Sequence, residues 1–155
     1  MTPIPVICAY FAYGSNMNPA RVADRGLQVR RREAARLRDY RLGFGKQSKD
    51  HLGVGHAHID RAPGEVVEGV LYWLAGEDEI RKMDRFEHAP INYSRDVVLV
   101  DTNAGRMPAW TYFANPAVRA PGLRPARAYL AHLLAGEAFL SPSYHARLAT
   151  WPVAD

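Results

Sequence analysis

Residues 11–19 read Phe11-Ala12-Tyr13-Gly14-Ser15-Asn16-Met17-Asn18-Pro19, the end of an apolar strand running directly into the start of a helix. Residues 5–12 supply the strand, 13–17 the turn and 19–25 a short helix. Asn18 is a suitable N-cap, and Pro19 at the first helical position has no amide hydrogen to leave unpaired. Gly26 ends the helix. Within the turn, Gly14 permits an unusual backbone angle and small Ser15 lets a ligand approach the main chain. The opening amides of a helix lack intrahelical partners, so this turn suits a carboxylate or an oxyanion. The same residues equally make an ordinary strand-to-helix turn.

Working outward, two or three strands fit between residues 29 and 60. Glu65-Val-Val-Glu-Gly-Val-Leu-Tyr-Trp-Leu74 reads as a central strand, because it is rich in β-branched and aromatic residues. Gly76 to Glu87 has helical spacing. Arg95–Asp101 and Arg106–Ala114 form two strands around the turn Asn103-Ala104-Gly105. Pro125 to Leu134 is helical, and Ser141-Pro142 caps a last short helix to Ala149. Strands in runs, separated by few helices, argue an α+β domain rather than a doubly wound parallel sheet. Strands of this length at hairpin spacing are compatible with closure into a small barrel, although the sequence itself does not set closure.

The chain of 155 residues has no internal repeat and no Gly/Ser linker, so residues 1–155 are read as one domain. No apolar run reaches the roughly 18 residues of a membrane span. The apolar stretch Ile4 to Tyr13 lacks the basic flank and cleavage site of a signal peptide. Cys8 is the single cysteine, which excludes an intrachain disulfide and any Cys-based zinc site. It is expected as a buried, inert thiol in the first strand, and the compartment as cytoplasmic. The net charge of +4 arises from 20 basic residues, only three of them Lys. Arg30, Arg31, Arg32, Arg36, Arg38 and Arg41 suggest either a phosphate-binding stripe or a solvated strand face interleaved with Glu33 and Asp39. No nucleic-acid module accompanies them, and neither a nucleic-acid nor a membrane partner is expected.

Two glycine-rich segments fail as nucleotide motifs. Gly43-Phe-Gly45-Lys46-Gln47-Ser48 lacks the first glycine and the hydroxyl residue of a P-loop, and Gly53-Val-Gly55-His-Ala-His58 lacks the third glycine of a dinucleotide fingerprint. His56 and His58 share a strand face, yet no zinc-type spacing supplies further ligands beside His51 or Asp60. No metal site is expected.

Ile80, Met83, Asp84 and Glu87 stand at i, i+3, i+4 and i+7 on one helix face. A face that starts apolar and ends in a carboxylate puts Glu87 at the edge of the core. Burial there raises its pKa toward the range useful for proton transfer near neutral pH. The alternative is a Glu87 exposed at a frayed helix end beside Arg85 or His88.

Tyr13-Gly14-Ser15-Asn16, Arg36-Leu-Arg-Asp-Tyr40-Arg-Leu-Gly-Phe44, Gly69-Val-Leu-Tyr-Trp73 and Asp84-Arg-Phe-Glu87 occur in this order in the gamma-glutamylcyclotransferase family. Tyr129, Gly136, Leu140, Pro142, Tyr144 and Leu148 resemble that family's C-terminal helical segment. The chain is thus similar to small members of a group that includes AIG2-like proteins and the butirosin-biosynthesis cyclotransferase. The resemblance implies a small mixed β-barrel and release of 5-oxoproline from a γ-glutamyl amino acid or amine, without cofactor. It implies Glu87 as acid/base, and substrate binding by the loop Tyr13, Gly14, Ser15, Asn16 and Met17 with Tyr93 and Tyr112. Many relatives carry Gly after the catalytic Glu, where this chain has His88. The competing reading is a small-molecule-binding or regulatory protein on the same fold. Neither the leaving group nor the oligomeric state is set by the sequence.

Overall fold

Asn18 caps as its type dictates: its side chain accepts from the amide of Ala20 at 3.1 Å, and Pro19 opens the helix α1, Pro19–Asp24. Gly26, at φ 83°, turns the chain out of it. The computed structural model describes residue 3 and residues 6–155. Strand β1 is Ala9–Ala12, every residue of it buried. Ile4 and Pro5 of the expected first strand lie outside the described residues. Cys8 precedes β1 and is only half-buried, so the expectation of a fully buried thiol is corrected.

The strands expected between 29 and 74 are two very long ones, β2 (Val29–Gln47) and β3 (Gly55–Leu74). They form one antiparallel ribbon with irregularities between Arg38 and Tyr40 and between Gly43 and Lys46. At the first of these, Asp39 (φ 67°) and Gly64 (φ 86°) both take the left-handed conformation, and the Gly64 amide donates to Asp39 Oδ1 at 2.9 Å. Pro63-Gly64 therefore reads as a strand end in the sequence but forms a bulge that bends the ribbon. Helix α2 (Ile80–Phe86) begins later than expected, because Gly76–Glu79 form turns before it. Strands β4 (Tyr93–Thr102) and β5 (Gly105–Ala114) make the expected hairpin. Helices α3 (Arg127–Leu134) and α4 (Pro142–Ala149) complete the chain.

The sheet closes into a barrel in the order β1-β3-β2-β4-β5. All neighbours are antiparallel except at the seam, where β1 meets β5 in parallel at Tyr10 and Trp110. Thr111 and Tyr13 tie that seam, Thr111 Oγ1 donating to Phe11 O at 2.9 Å and the Tyr13 hydroxyl to Tyr112 O. Phe11, Val67, Val70, Leu71, Tyr72 and Val100 have essentially no exposure and form the core that sets strand register. Gly69 allows β1 and β3 to approach closely: a Cβ there would sit 2.3 Å from Ala12 O. No helix among the described residues is long and apolar enough to cross a membrane.

Candidate active site

A cavity of about 240 Å³ opens where the Gly14–Asn16 turn, the end of α2 and the far part of the β2–β3 ribbon meet. Ser15–Met17 form a single 3₁₀ turn, closed by Met17 N donating to Gly14 O at 3.0 Å. The amides of Ser15 and Asn16 precede that first bond and head the turn. Gly14 takes φ −111° and ψ −136°, neither helical nor extended, and its missing side chain also permits close approach. A Cβ on Gly14 would lie 3.0 Å from Ala57 Cβ and 3.5 Å from the Tyr129 hydroxyl.

Tyr13, Gly14, Ser15, Asn16, Glu87, Tyr93 and Tyr112 all line this cavity. Met17 does not: it is fully buried beneath Gly136, 3.0 Å from where a Gly136 Cβ would stand. Its expected place in the binding loop is corrected, because the 3₁₀ turn rotates its side chain into the core.

Glu87 caps the C-terminus of α2, its amide bonded to Met83 O at 3.0 Å. Ile80 and Met83, on the same face, are buried, which carries the carboxyl group into the cavity wall rather than to a frayed end. Glu87 Oε1 accepts from Asn16 Nδ2 at 3.1 Å, and Arg25 Nη1 stands 3.7 Å away. Burial raises the Glu87 pKa, and Arg25, Arg21, the Asn16 hydrogen bond and Lys46 oppose that rise without cancelling it. Three residues away, Asp84 is tied differently: its Oδ1 accepts from Arg95 Nε at 2.8 Å and from the Tyr112 hydroxyl at 2.6 Å.

The Asn16 side chain is already engaged. Its Nδ2 faces Glu87, the Tyr10 hydroxyl at 2.9 Å and Met83 Sδ at 3.2 Å, while its Oδ1 accepts from Arg25 Nη1 at 3.1 Å. It is therefore placed to orient Glu87, leaving its backbone to face a ligand. Tyr112 likewise has its hydroxyl on Asp84. Burial, the neighbouring Tyr10 and then Asp84 push the Tyr112 pKa up.

Ala57 is pinned from both sides: its amide donates to the Tyr129 hydroxyl at 3.0 Å, and its carbonyl accepts from Tyr93 at 2.9 Å. The ladder irregularity between Gly43 and Lys46 lies opposite this residue, and the two tyrosines supply its main-chain partners. Burial pushes the Tyr129 hydroxyl up to about 12. His56 stacks on Tyr129 with ring centroids 4.5 Å apart. Burial first, then Lys46 and Arg21, push its pKa down to about 4, so it is a neutral aromatic wall at physiological pH.

His58 is separate. It fills the space left by Gly43 and Gly45, where added Cβ atoms would lie 2.6 and 2.8 Å from its ring. Its Nδ1 accepts from the Gly45 amide at 2.8 Å and its Nε2 meets Asp60 Oδ2 at 3.0 Å. That is the structural use of the glycines that resemble a phosphate loop. Among the described residues no three His, Cys, Asp or Glu side chains are grouped to hold a metal. Half of the arginine stripe is ion-paired on the surface, Arg38 with Asp101 at 2.7 Å, Arg31 with Glu33 at 3.1 Å and Arg41 with Glu65 at 4.0 Å.

Sequence reasoning missed Tyr10, Arg21, Arg25 and Lys46 as cavity residues. No motif marks them, since they converge only when the ribbon bends and the barrel closes. His88 also lines the cavity, at φ 51°. That conformation is the one glycine adopts without strain.

A family model described as Gamma-glutamyl cyclotransferase, AIG2-like, matches residues 10–131. A Bos taurus protein named gamma-glutamylcyclotransferase is 37% identical over 82 residues, covering 50% of this chain and 43% of the relative. The chain thus matches less than half of that relative's length. An uncharacterized protein from Homo sapiens of known structure superposes with a TM-score of 0.82 at 26% identity, covering 97% of this chain and 91% of that one. A solved structure named Gamma-glutamyl cyclotransferase superposes at 0.80 with 25% identity, covering 95% and 89%.

Proposed function

The chain belongs to the gamma-glutamyl cyclotransferase, AIG2-like family, and we propose that it converts a γ-glutamyl amino acid or amine to 5-oxoproline and the free amino acid or amine. The observation that carries this reading is Glu87, a carboxyl group held in a cavity wall where burial favours its protonated form. A group with a pKa nearer neutrality both accepts and donates a proton at working pH.

The reaction is an intramolecular aminolysis. The substrate's α-amine attacks its own γ-carbonyl carbon, a C–N bond closes the five-membered ring, and the bond to the leaving nitrogen breaks. Glu87 as carboxylate takes a proton from the attacking nitrogen, and as carboxylic acid returns it to the leaving nitrogen. The nucleophile is tethered, so the protein's main contribution is to hold the folded substrate. Asn16 and Arg25 keep the Glu87 carboxyl aimed into the cavity. The backbone amides of the Gly14–Asn16 turn hold the substrate α-carboxylate or the oxyanion of the tetrahedral intermediate. Tyr13, Tyr93 and Tyr112 form the walls around it, and no cofactor enters the scheme.

The test is release of 5-oxoproline by the purified protein from a panel of γ-glutamyl dipeptides and amines, beside Glu87→Gln. The expected outcome is product from the wild type and a loss of roughly 10³-fold or more in the variant, with its circular dichroism unchanged. Turnover preserved in Glu87→Gln removes Glu87 from the chemistry. Ligands that raise the melting temperature but are not consumed favour the non-catalytic binding protein instead.

A further inference from the structure

The chain has three lysines, and they are treated very differently. Lys82 lies on the surface of α2 and holds Glu79 at 2.9 Å. Lys49 is exposed at the cavity rim. Lys46 is only 5% exposed, yet its Nζ enters none of the ion pairs or hydrogen bonds found among the described residues. Its nearest aromatic neighbour is the Tyr93 ring, with the centroid 6.0 Å from Nζ. The side chain lines the cavity. It is thus buried along its length while its ammonium group, without an ion-pair or hydrogen-bond partner among the described residues, faces the space a ligand occupies, where an anionic ligand group would complete it.

The other cations near the site differ in how far they are engaged, Lys49 standing exposed at the rim. Arg25 is held by Glu87 and Asn16, and Arg119 by Asp60 at 2.6 Å. Arg21 has an unpartnered Nε but turns Nη1 toward His132 at 3.4 Å. Glu87 and Lys46 line the same cavity and feel each other's charge, but they do not touch. In a γ-glutamyl α-amino acid, the leaving group's carboxylate is two bonds from the nitrogen that receives the proton. A cation that reads this carboxylate must stand across a gap from the proton donor, as Lys46 does.

We propose that Lys46 is a carboxylate-binding group that recognises the α-carboxylate of the leaving amino acid, so that the substrates are γ-glutamyl α-amino acids in preference to γ-glutamyl amines lacking a carboxylate. The substrate class rests on the reaction proposed above; the anion subsite itself does not. Lys46 touches the leaving group and takes no part in proton transfer.

The experiment compares γ-glutamylalanine with γ-glutamylethylamide, which lacks the carboxylate, on wild type, Lys46→Met and Lys46→Arg. In the wild type kcat/KM favours γ-glutamylalanine by roughly 10- to 100-fold, the value of a charged hydrogen bond. In Lys46→Met this ratio falls to near one, and Lys46→Arg restores part of it. Lys46→Met melts no lower than the wild type, because the buried charge is not there for stability. Calorimetric binding of both compounds to Glu87→Gln and to Glu87→Gln/Lys46→Met gives the same comparison without turnover. If the wild type consumes neither compound but binding shows the carboxylate preference and Lys46→Met abolishes it, the reaction fails and the subsite stands. A preference that is absent, that survives Lys46→Met, or a variant that loses both ligands equally or melts lower, overturns the proposal.

Discussion

The two halves of the β2–β3 ribbon are built by the same backbone pairing and do opposite work. From Val29 to Arg38 the ribbon runs against Val66–Leu74 as a barrel wall, with charged side chains turned outward. Trp73 Nε1 donates to Glu33 at 2.7 Å there, and Arg31 lies 4.8 Å over the Trp73 ring. Beyond the bulge at Asp39, from Tyr40 to Gln47 against Gly55–Arg61, side chains are instead removed. Gly43 and Gly45 admit His58, and Gly55 lets the Phe44 carbonyl approach. Lys46, His56 and Ala57 of this second half line the cavity. A half that adds side chains to its surface makes a scaffold; a half that deletes them lets backbone and polar groups crowd close enough to form a site.

The sharpest way to break this contrast is Gly55→Ala. The new Cβ would stand 1.7 Å from Phe44 O, a backbone atom that moves only if the ribbon moves. A loss of about 3 kcal/mol or more is expected in chemical denaturation. A loss below about 1 kcal/mol would show that the second half tolerates rearrangement and that its tight approach is not what shapes the cavity.

Asn16→Ala acts across the cavity from that half. Removing the hydrogen bond to Glu87 is expected to lower kcat by roughly 10- to 100-fold, with the fold intact. The same bond depresses the Glu87 pKa, so the acid limb of the pH–kcat/KM profile moves to higher pH in the variant. A profile left in place, with the same loss of rate, would make Asn16 a substrate contact rather than a positioning residue.

Glu87 also links stability to pH. Its folded pKa lies above the ordinary 4.5, so the folded state binds the proton more tightly than the unfolded one. Its contribution is complete below 4.5 and declines as pH rises through the folded value. Melting temperatures of wild type and Glu87→Gln measured against pH should therefore diverge upward from this point, the wild type losing ground. Parallel curves would mean that the buried carboxyl group carries no such penalty.

The smallest effect belongs to the scaffold half. Arg31→Ala removes an ion pair whose Arg side chain is 63% exposed, and a change of about 0.5 kcal/mol, weaker at high salt, is expected by thermal melting.

The same contrast explains what the sequence disclosed. The scaffold half obeys strand patterning, and Glu65–Leu74 reads plainly as a strand from its β-branched and aromatic residues. Glu87 was legible because helical spacing aligns it with Ile80 and Met83. The Tyr13–Asn16 turn was legible because strand, glycine and N-cap follow one another without a gap. In the second half, glycines and histidines obscure the period-two signal, and Pro63-Gly64 imitates a strand end. Lys46, Arg25 and Tyr10 were illegible for another reason: each becomes a cavity residue only through contacts with residues far away in the chain. Met17 follows the binding turn in sequence but leaves it in space, since a 3₁₀ turn sends successive side chains around its axis.

The parallel seam between β1 and β5 bears on how the molecule comes into being. Thr111 and Phe11, which help lock that seam, are 100 residues apart. Closing so long a loop costs entropy before any seam contact repays it, and topologies rich in such distant contacts fold slowly. During synthesis the Gly14–Asn16 turn emerges early, and its cavity stays incomplete until Tyr112 and then Tyr129 leave the ribosome. The cavity is accordingly among the last features to assemble, and a chain that stops short of β5 carries the turn and Glu87 without a pocket to hold them together.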